Sequence, residues 1–229
     1  MLILHGLVGA PRSPAWMDAL TTRFEVLLPE HPGFGGTSPL DDIHDYAYFY
    51  LDMLDRLDLR RVHLVGLSLG GWIAAELAIR NTSRLASLTL VSALGLHVPG
   101  IEPIDYFWCS DTKRTHALFH DPTLAQRLPP TSEDSELHNR ASIARIAWNP
   151  RFHNPSLQKW LHRIHIPTLL LWGAADCLSP PAHAHAYHRH IPHARLTILP
   201  ACGHMPELET PSELVREITS FAGALELIS

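Results

Sequence analysis

The sequence predicts an α/β fold, a mostly parallel sheet with helices on both faces and one helical insertion. Three observations carry this. Short β-branched or Leu-rich runs alternate with segments whose apolar residues recur three and four apart, the order that builds parallel sheets through crossover helices. A glycine-bounded serine stands directly between one such strand and one such helix. Finally, roughly seventy residues from Val98 to Ile164 carry no clear strand between two strands of the continuing sheet, too long a stretch for an ordinary loop.

Taken in order, the strand-like runs are Leu2 to His5, Glu25 to Leu28, Val62 to Gly66, Ser87 to Ser92, Pro167 to Trp172 and Arg195 to Leu199. Met1 to Gly6 is apolar but has no basic flank and no small-residue cleavage site, so it reads as a strand and not as a signal peptide. Ala47, Tyr50, Leu51, Leu54 and Leu57 form one helical stripe. Trp72, Ala75, Leu77 and Ile79 mark a helix that follows directly on a strand. Thr210-Pro211 starts a last helix through Leu214, Ile218 and Phe221, with Pro in the first turn where its missing N–H costs nothing. Within the strand-free stretch, Pro129-Pro130 and the polar run Thr131 to Glu136 interrupt an otherwise aromatic-rich segment.

Composition sets outer limits. The 229 residues are 46% hydrophobic and 18% charged, a globular balance. Lys and Arg number 18 against 23 Asp and Glu, a net charge of −5, so nucleic acid is not an expected partner. Apolar runs reach only about seven residues against the roughly 18 a bilayer span needs, so no membrane span is expected. The 17 His would carry the charge to +12 if all were protonated, which bears on solubility at acid pH. Cys109, Cys177 and Cys202 are odd in number and form no CxxC, which fits reduced thiols and a cytoplasmic location.

The chemistry concentrates at Gly66-Leu67-Ser68-Leu69-Gly70-Gly71. A Ser on a sharp strand-to-helix turn must adopt a strained backbone, and small flanking residues let strand and helix approach. A Ser hydroxyl needs a base to remove its proton, and a His base needs a carboxylate to fix its tautomer. Asp176 and His204 each fall just past a strand's C-terminal end, where α/β sheets present their functional groups.

These residues, with His5-Gly6, His31-Pro32-Gly33-Phe34-Gly35-Gly36-Thr37-Ser38, Trp172-Gly173-Ala174-Ala175-Asp176 and Gly203-His204-Met205-Pro206-Glu207-Leu208-Glu209, make the chain resemble the α/β-hydrolase superfamily along its whole length, in particular its capped serine hydrolases. The resemblance implies an α/β-hydrolase core over residues 1–97 and 165–229 and a helical cap over 98–164. It implies Ser68 as nucleophile, His204 as base and Asp176 as its orienting acid, and an oxyanion hole from the backbone N–H groups of Leu7 and Leu69. Family members usually begin with a hairpin of about 20 to 25 residues before the His-Gly strand, so that hairpin is expected to be absent and the Glu25 to Leu28 strand to lie at an open edge.

The implied reaction is cleavage of a small, mainly apolar carboxylic ester through an acyl-enzyme, without metal or organic cofactor, by a monomer or homodimer. Trp108, Phe119, Trp148 and Met205 are the pocket candidates, while Tyr106, Phe107, Phe152 and Trp160 either join that wall or pack the insertion's own core. Arg114, Arg127, Arg140, Arg145 and Arg151 could meet a substrate carboxylate. A C–C bond hydrolase of the meta-cleavage type, an acyltransferase or a thioesterase would use the same three residues, although Leu7-Val8-Gly9 and Leu69 depart from the usual C–C hydrolase pattern. A non-catalytic binding module on the same fold is the alternative of another class. His5 reads as a structural loop residue, and His183, His185, His188, His190 and His193 read as a solvated helix face and not a metal site.

Overall fold

A computed structural model describes residues 1–10, 15–102, 104–128 and 132–226. The Pro129-Pro130-Thr131 interruption lies outside the described residues. Five strands, β1 (Leu2–Leu4), β2 (Val62–Leu67), β3 (Leu85–Val91), β4 (Thr168–Gly173) and β5 (Arg195–Leu199), form one sheet in sequence order, every pair parallel. Alternation along the strands feeds two apolar layers. Ile3, Val65, Leu67, Val91, Leu169 and Leu171 face one side, with Trp16 and Leu20 of α1 (Ala15–Thr21) and Leu214 and Ile218 of α9 (Pro211–Glu226). Leu2, Leu4, Leu64, Leu88, Leu90, Leu170 and Trp172 face the other, under α2 (Ile43–Arg56), α3 (Leu69–Arg80) and α7 (Pro181–His190).

The run from Glu25 to Leu28 is not a strand. Leu27 makes a single parallel bridge to Leu2, with Ile3 N–H donating to Leu27 O at 2.8 Å and Leu27 N–H to Met1 O at 2.9 Å. β1 offers only three residues to pair with, and Pro29 brings no N–H to continue the ladder.

Local chemistry accounts for the helices. Asp42 caps α2, its Oδ1 accepting from His44 N–H (2.6 Å) and Asp45 N–H (3.1 Å), and Ile43, Tyr46, Ala47, Tyr50 and Leu54 make its buried stripe. Leu57 falls past the helix end and is exposed. α3 is buried on all sides, and burial of Leu69, Ile73 and Leu77 contributes roughly 1.5–3 kcal/mol each. Its one carboxylate, Glu76, is fully buried and held by Arg80 Nη1 (2.7 Å), Asn154 Nδ2 (2.7 Å) and Trp72 Nε1 (3.3 Å).

Between β3 and β4 the described residues contain α4 (Asp111–Leu118), a 3₁₀ turn (Pro122–Arg127), α5 (Glu133–Ala147), α6 (Leu157–Trp160) and a second 3₁₀ turn (Leu161–Arg163). This segment is stitched to the end of the sheet at Gly95, whose N–H donates to Phe152 O and whose carbonyl accepts from Asn154 N–H, both at 3.0 Å. After β5, α8 (Pro206–Glu209) precedes α9.

Close backbone approach fixes where the strand ends lie. A Cβ at Gly70 would strike the carbonyl of Leu4, and one at Gly66 would come within 2.6 Å of Gly71 Cα. A Cβ at Gly173 would strike the carbonyls of Cys202 and Gly203, so the end of β4 and the segment after β5 meet at a distance only glycine permits. Gly173→Ala is expected to cost about 3 kcal/mol or more, roughly 6 to 12 °C in Tm for a chain of this size. A thermal melt within 1 °C of the wild type would show that the two segments are not packed as described.

Candidate active site

The site lies at the C-terminal ends of β1, β2, β4 and β5. Ser68 follows β2 with φ 51° and ψ −110°, a conformation that side chains other than glycine rarely adopt. Its neighbours hold it there. Ser68 N–H donates to Val91 O at 2.9 Å, and Ser68 O accepts from Trp72 N–H and Leu94 N–H, both at 3.1 Å. Such a turn stands the hydroxyl at the tip of the strand, at the N-terminus of α3.

His204, after β5, brings Nε2 to 2.7 Å from Ser68 Oγ. Asp176, after β4, accepts from His204 Nδ1–H at 2.9 Å (Oδ2) and 3.0 Å (Oδ1). Asp176 Oδ1 also accepts from Ser179 N–H (2.8 Å) and Leu178 N–H (3.0 Å), while Ser179 Oγ donates to Ala93 O (2.9 Å) and Trp172 Nε1 to Ser179 O (2.7 Å). The carboxylate is therefore held from both sides of β4. All three side chains are buried: Ser68 is 5% exposed, Asp176 3% and His204 2%. With Nδ1–H committed to Asp176, Nε2 is left as an acceptor facing the Ser68 hydroxyl, the tautomer a general base needs.

The main chain around Leu7 passes beside this group. A Cβ at Gly6 would sit 3.2 Å from Ser68 Cβ. The N–H groups of Leu7 and Leu69 have no hydrogen-bond partner among the described residues, and Leu69 is the first residue of α3, where orphan donors and the positive dipole end coincide. A pair of such donors next to a nucleophile suits a developing oxyanion.

Beneath them is a network the sequence does not announce. His5 O accepts from Gly70 N–H (3.0 Å) and from His31 Nε2–H (2.9 Å), His5 Nε2 accepts from His31 N–H (2.9 Å), and Tyr50 donates to His31 Nδ1 (2.5 Å). Every ring nitrogen has a neutral-form role, with His5 Nδ1–H on Gly6 O at 2.8 Å. Burial lowers His5 to about 4, and burial and then its neighbour His5 hold His31 well below the usual imidazole range. His31 appears in the sequence only as part of a glycine-rich turn, and nothing local pairs it with His5.

A cavity of about 190 Å³ opens beside Leu7. Leu7, Val8, Leu118, Phe119 and Leu128 give it an apolar side and Tyr106, Asp111, Arg114, Thr115, Glu136, Asn139 and Arg140 a polar one, all but Leu7 and Val8 from the insertion. Of the expected wall residues, Phe119 is there and Trp108, Trp148 and Met205 are not. Trp108 is 74% exposed and Trp148 45%, their rings 6.1 Å apart on the outer surface with Arg151 over Trp148 at 4.2 Å. Trp148 caps the C-terminus of α5 and Trp108 lies in the turn before α4, and neither lines the cavity. Met205 is packed in the core behind His204. Phe107 and Phe152 stack at 5.2 Å inside the insertion, and Trp160 is exposed. Of the arginines, Arg114 and Arg140 line the cavity, Arg127 donates to Leu208 O, Arg145 pairs with Asp41, and Arg151 with Asp105.

His183 is buried at the start of α7, unlike the solvated residue expected there, and its burial lowers its pKa. Among the described residues no group of three or more His, Cys, Asp or Glu side chains is placed to hold a metal ion. Cys177 is exposed and Cys202 buried, its thiol pushed up to about 12 by burial, and all three cysteines are free. No helix among the described residues is long and apolar enough to cross a membrane. Burial pushes Glu207, three residues beyond His204, up to about 7 against the pull of His204.

The buried His5 gives a pH dependence with a definite sign. Its folded pKa is about 4 against 6.5 for the free side chain, so the unfolded chain binds the extra proton first. Stability is full above about pH 6.5 and falls toward pH 4, by on the order of 3 kcal/mol from this group. Melts from pH 7.5 to 4.5 should show the decline. His5→Gln, which cannot titrate, should start lower and lose less over that interval; an equal loss in both proteins would remove His5 as the cause.

Comparison with known proteins gives the family. The chain is 25% identical over 243 residues to the dihydrolipoyllysine-residue acetyltransferase component of the acetoin cleaving system of Pseudomonas putida, covering 96% of this chain and 62% of that protein. It is 27% identical over 249 residues to the 2-hydroxymuconate semialdehyde hydrolase of Pseudomonas putida, covering 96% and 85%. It is 26% identical over 243 residues to the pimeloyl-[acyl-carrier protein] methyl ester esterase of Nitrosomonas europaea, covering 94% and 92%. With the family's model matching from residue 1 to residue 218, the chain belongs to the alpha/beta hydrolase family.

Proposed function

We propose that the protein is a serine hydrolase that cleaves a small, mainly apolar carboxylic ester through an acyl-enzyme on Ser68. The observation that carries this reading is the continuous line from Asp176 through His204 to Ser68, with 2.7 Å between His204 Nε2 and Ser68 Oγ. As Ser68 Oγ attacks the ester carbonyl, His204 Nε2 takes its proton, and Asp176 stabilises the imidazolium without accepting the proton itself. Charge gathers on the carbonyl oxygen, within reach of the Leu7 and Leu69 N–H groups. His204 then protonates the departing alkoxide, and the alcohol leaves an acyl group on Ser68. Water attacks that acyl group with His204 again as base, releasing the acid and restoring the serine. Each proton has a protein carrier, so these steps call for no metal or organic cofactor.

A cavity of about 190 Å³ with an apolar side suits a short acyl chain better than a long one. The three free thiols accord with a reducing, cytoplasmic setting. A C–C bond hydrolase is the second reading, favoured by the 27% identity to the 2-hydroxymuconate semialdehyde hydrolase and disfavoured by Leu7-Val8-Gly9 and Leu69.

The test combines a fluorophosphonate probe with p-nitrophenyl esters of several chain lengths. Wild type is expected to be labelled and to turn over short esters, and Ser68→Ala to do neither. His204→Ala should lower turnover by roughly 10⁴ to 10⁶. A twofold loss would mean the base is another residue. Labelling without ester turnover would favour the C–C reading, and neither labelling nor turnover a binding module.

A further inference from the structure

The geometry points to Glu209 as a positioning residue that sets both the His204 backbone and the cavity wall at Leu118 and Phe119. The inference rests on the serine hydrolase reading and extends it to a residue that touches neither Ser68 nor His204's ring.

Glu209 ends α8, five residues after His204, and its carboxylate spans a seam between two distant segments. Oε1 accepts at 2.7 Å from the N–H of Gly203, the residue immediately before His204. Oε2 accepts from His120 N–H at 2.8 Å and Asp121 N–H at 3.3 Å, in the insertion. Two further bonds cross the same seam: His204 N–H donates to Leu118 O at 2.8 Å, and Arg127 Nη1 to Leu208 O at 2.8 Å. The seam is closed at main-chain distance, since a Cβ at Gly203 would lie 2.7 Å from His120 N and 2.9 Å from Leu118 O.

Two residues on the insertion side of this seam reach the cavity beside Leu7. Leu118 and Phe119 line the cavity, and His120 is held by Glu209. On the other side, His204 has little slack, with 2.7 Å to Ser68 and 2.9 Å to Asp176. One carboxylate therefore ties the register of the proton carrier to the wall of the cavity beside Leu7. A carboxylate suits the task because both its oxygens only accept, whereas a glutamine would present an N–H₂ to one set of N–H donors.

Glu209→Gln tests this. Two readings separate the roles: the rate at which a small fluorophosphonate labels Ser68, which depends on the base and little on the wall, and the kcat and KM profile for p-nitrophenyl acetate, butyrate and hexanoate. Glu209→Gln, folded by circular dichroism, should label roughly 10- to 100-fold more slowly, the scale of a small misplacement at a reacting centre. On the acetate, kcat should fall with KM within twofold, and the preference among chain lengths should flatten. Glu217→Gln, which makes the same charge change at the largely buried carboxylate paired with Arg195, should leave both readings unchanged.

Labelling and chain-length profile within twofold of wild type in folded Glu209→Gln would overturn the proposal, as would a loss matched by Glu217→Gln. If Glu209→Gln does not fold, Glu209→Asp decides: its carboxylate is one methylene too short to span the seam, so slow labelling supports the role and wild-type labelling removes it. Wild-type protein that is not labelled would overturn the hydrolase reading beneath it.

Discussion

The left-handed turn at Ser68 is the constraint on which the rest of the site depends. A φ of 51° at a serine is held only because the surrounding backbone over-determines it, through Val91 on one side and Trp72 and Leu94 on the other. That closure requires strand, turn and helix to meet without side chains between them, at Gly66, Gly70 and Gly71. The same contact reaches outward. Gly70 N–H donates to His5 O, so the turn that raises the serine also fixes the segment carrying Leu7.

The second half of the site uses the same device. Gly173 meets Cys202 and Gly203 at main-chain distance, which brings the segment bearing Asp176 against the one bearing His204. Polar groups then fill what glycine leaves open. Asp176 is anchored by two N–H groups of its own loop, and the segment before His204 by Glu209. Beneath Leu7, a pair of neutral imidazoles and Tyr50 close the remaining hydrogen bonds, which makes this floor sensitive to acid. Rigid, fully bonded supports of this kind keep short distances short without help from solvent.

What the sequence made legible was local. Gly66 to Gly71 encloses its serine within two residues, so the elbow could be read directly, and the order of strand ends brought Asp176 and His204 into view. What stayed hidden depends on contacts far apart in the chain. Trp108 and Trp148 have the composition of a pocket wall, but one falls in the turn before α4 and the other just past α5, and both are exposed. Glu25 to Leu28 has strand composition, but β1 is too short and Pro29 too close to extend the pairing. His31 and Glu209 stand inside motifs that sequence reading singles out, yet their partners lie 26 and 89 residues away, a separation no local pattern encodes.

On the proposed reading, Ser68 carries the acyl group between two steps served by one histidine. Rapid-quench mass spectrometry of the protein mixed with a p-nitrophenyl ester, followed by peptide mapping, is expected to show a transient mass increase equal to the acyl group, located on Ser68 and decaying as acid appears. Ester turnover with no acyl adduct on Ser68, or with the adduct on another residue, would contradict it.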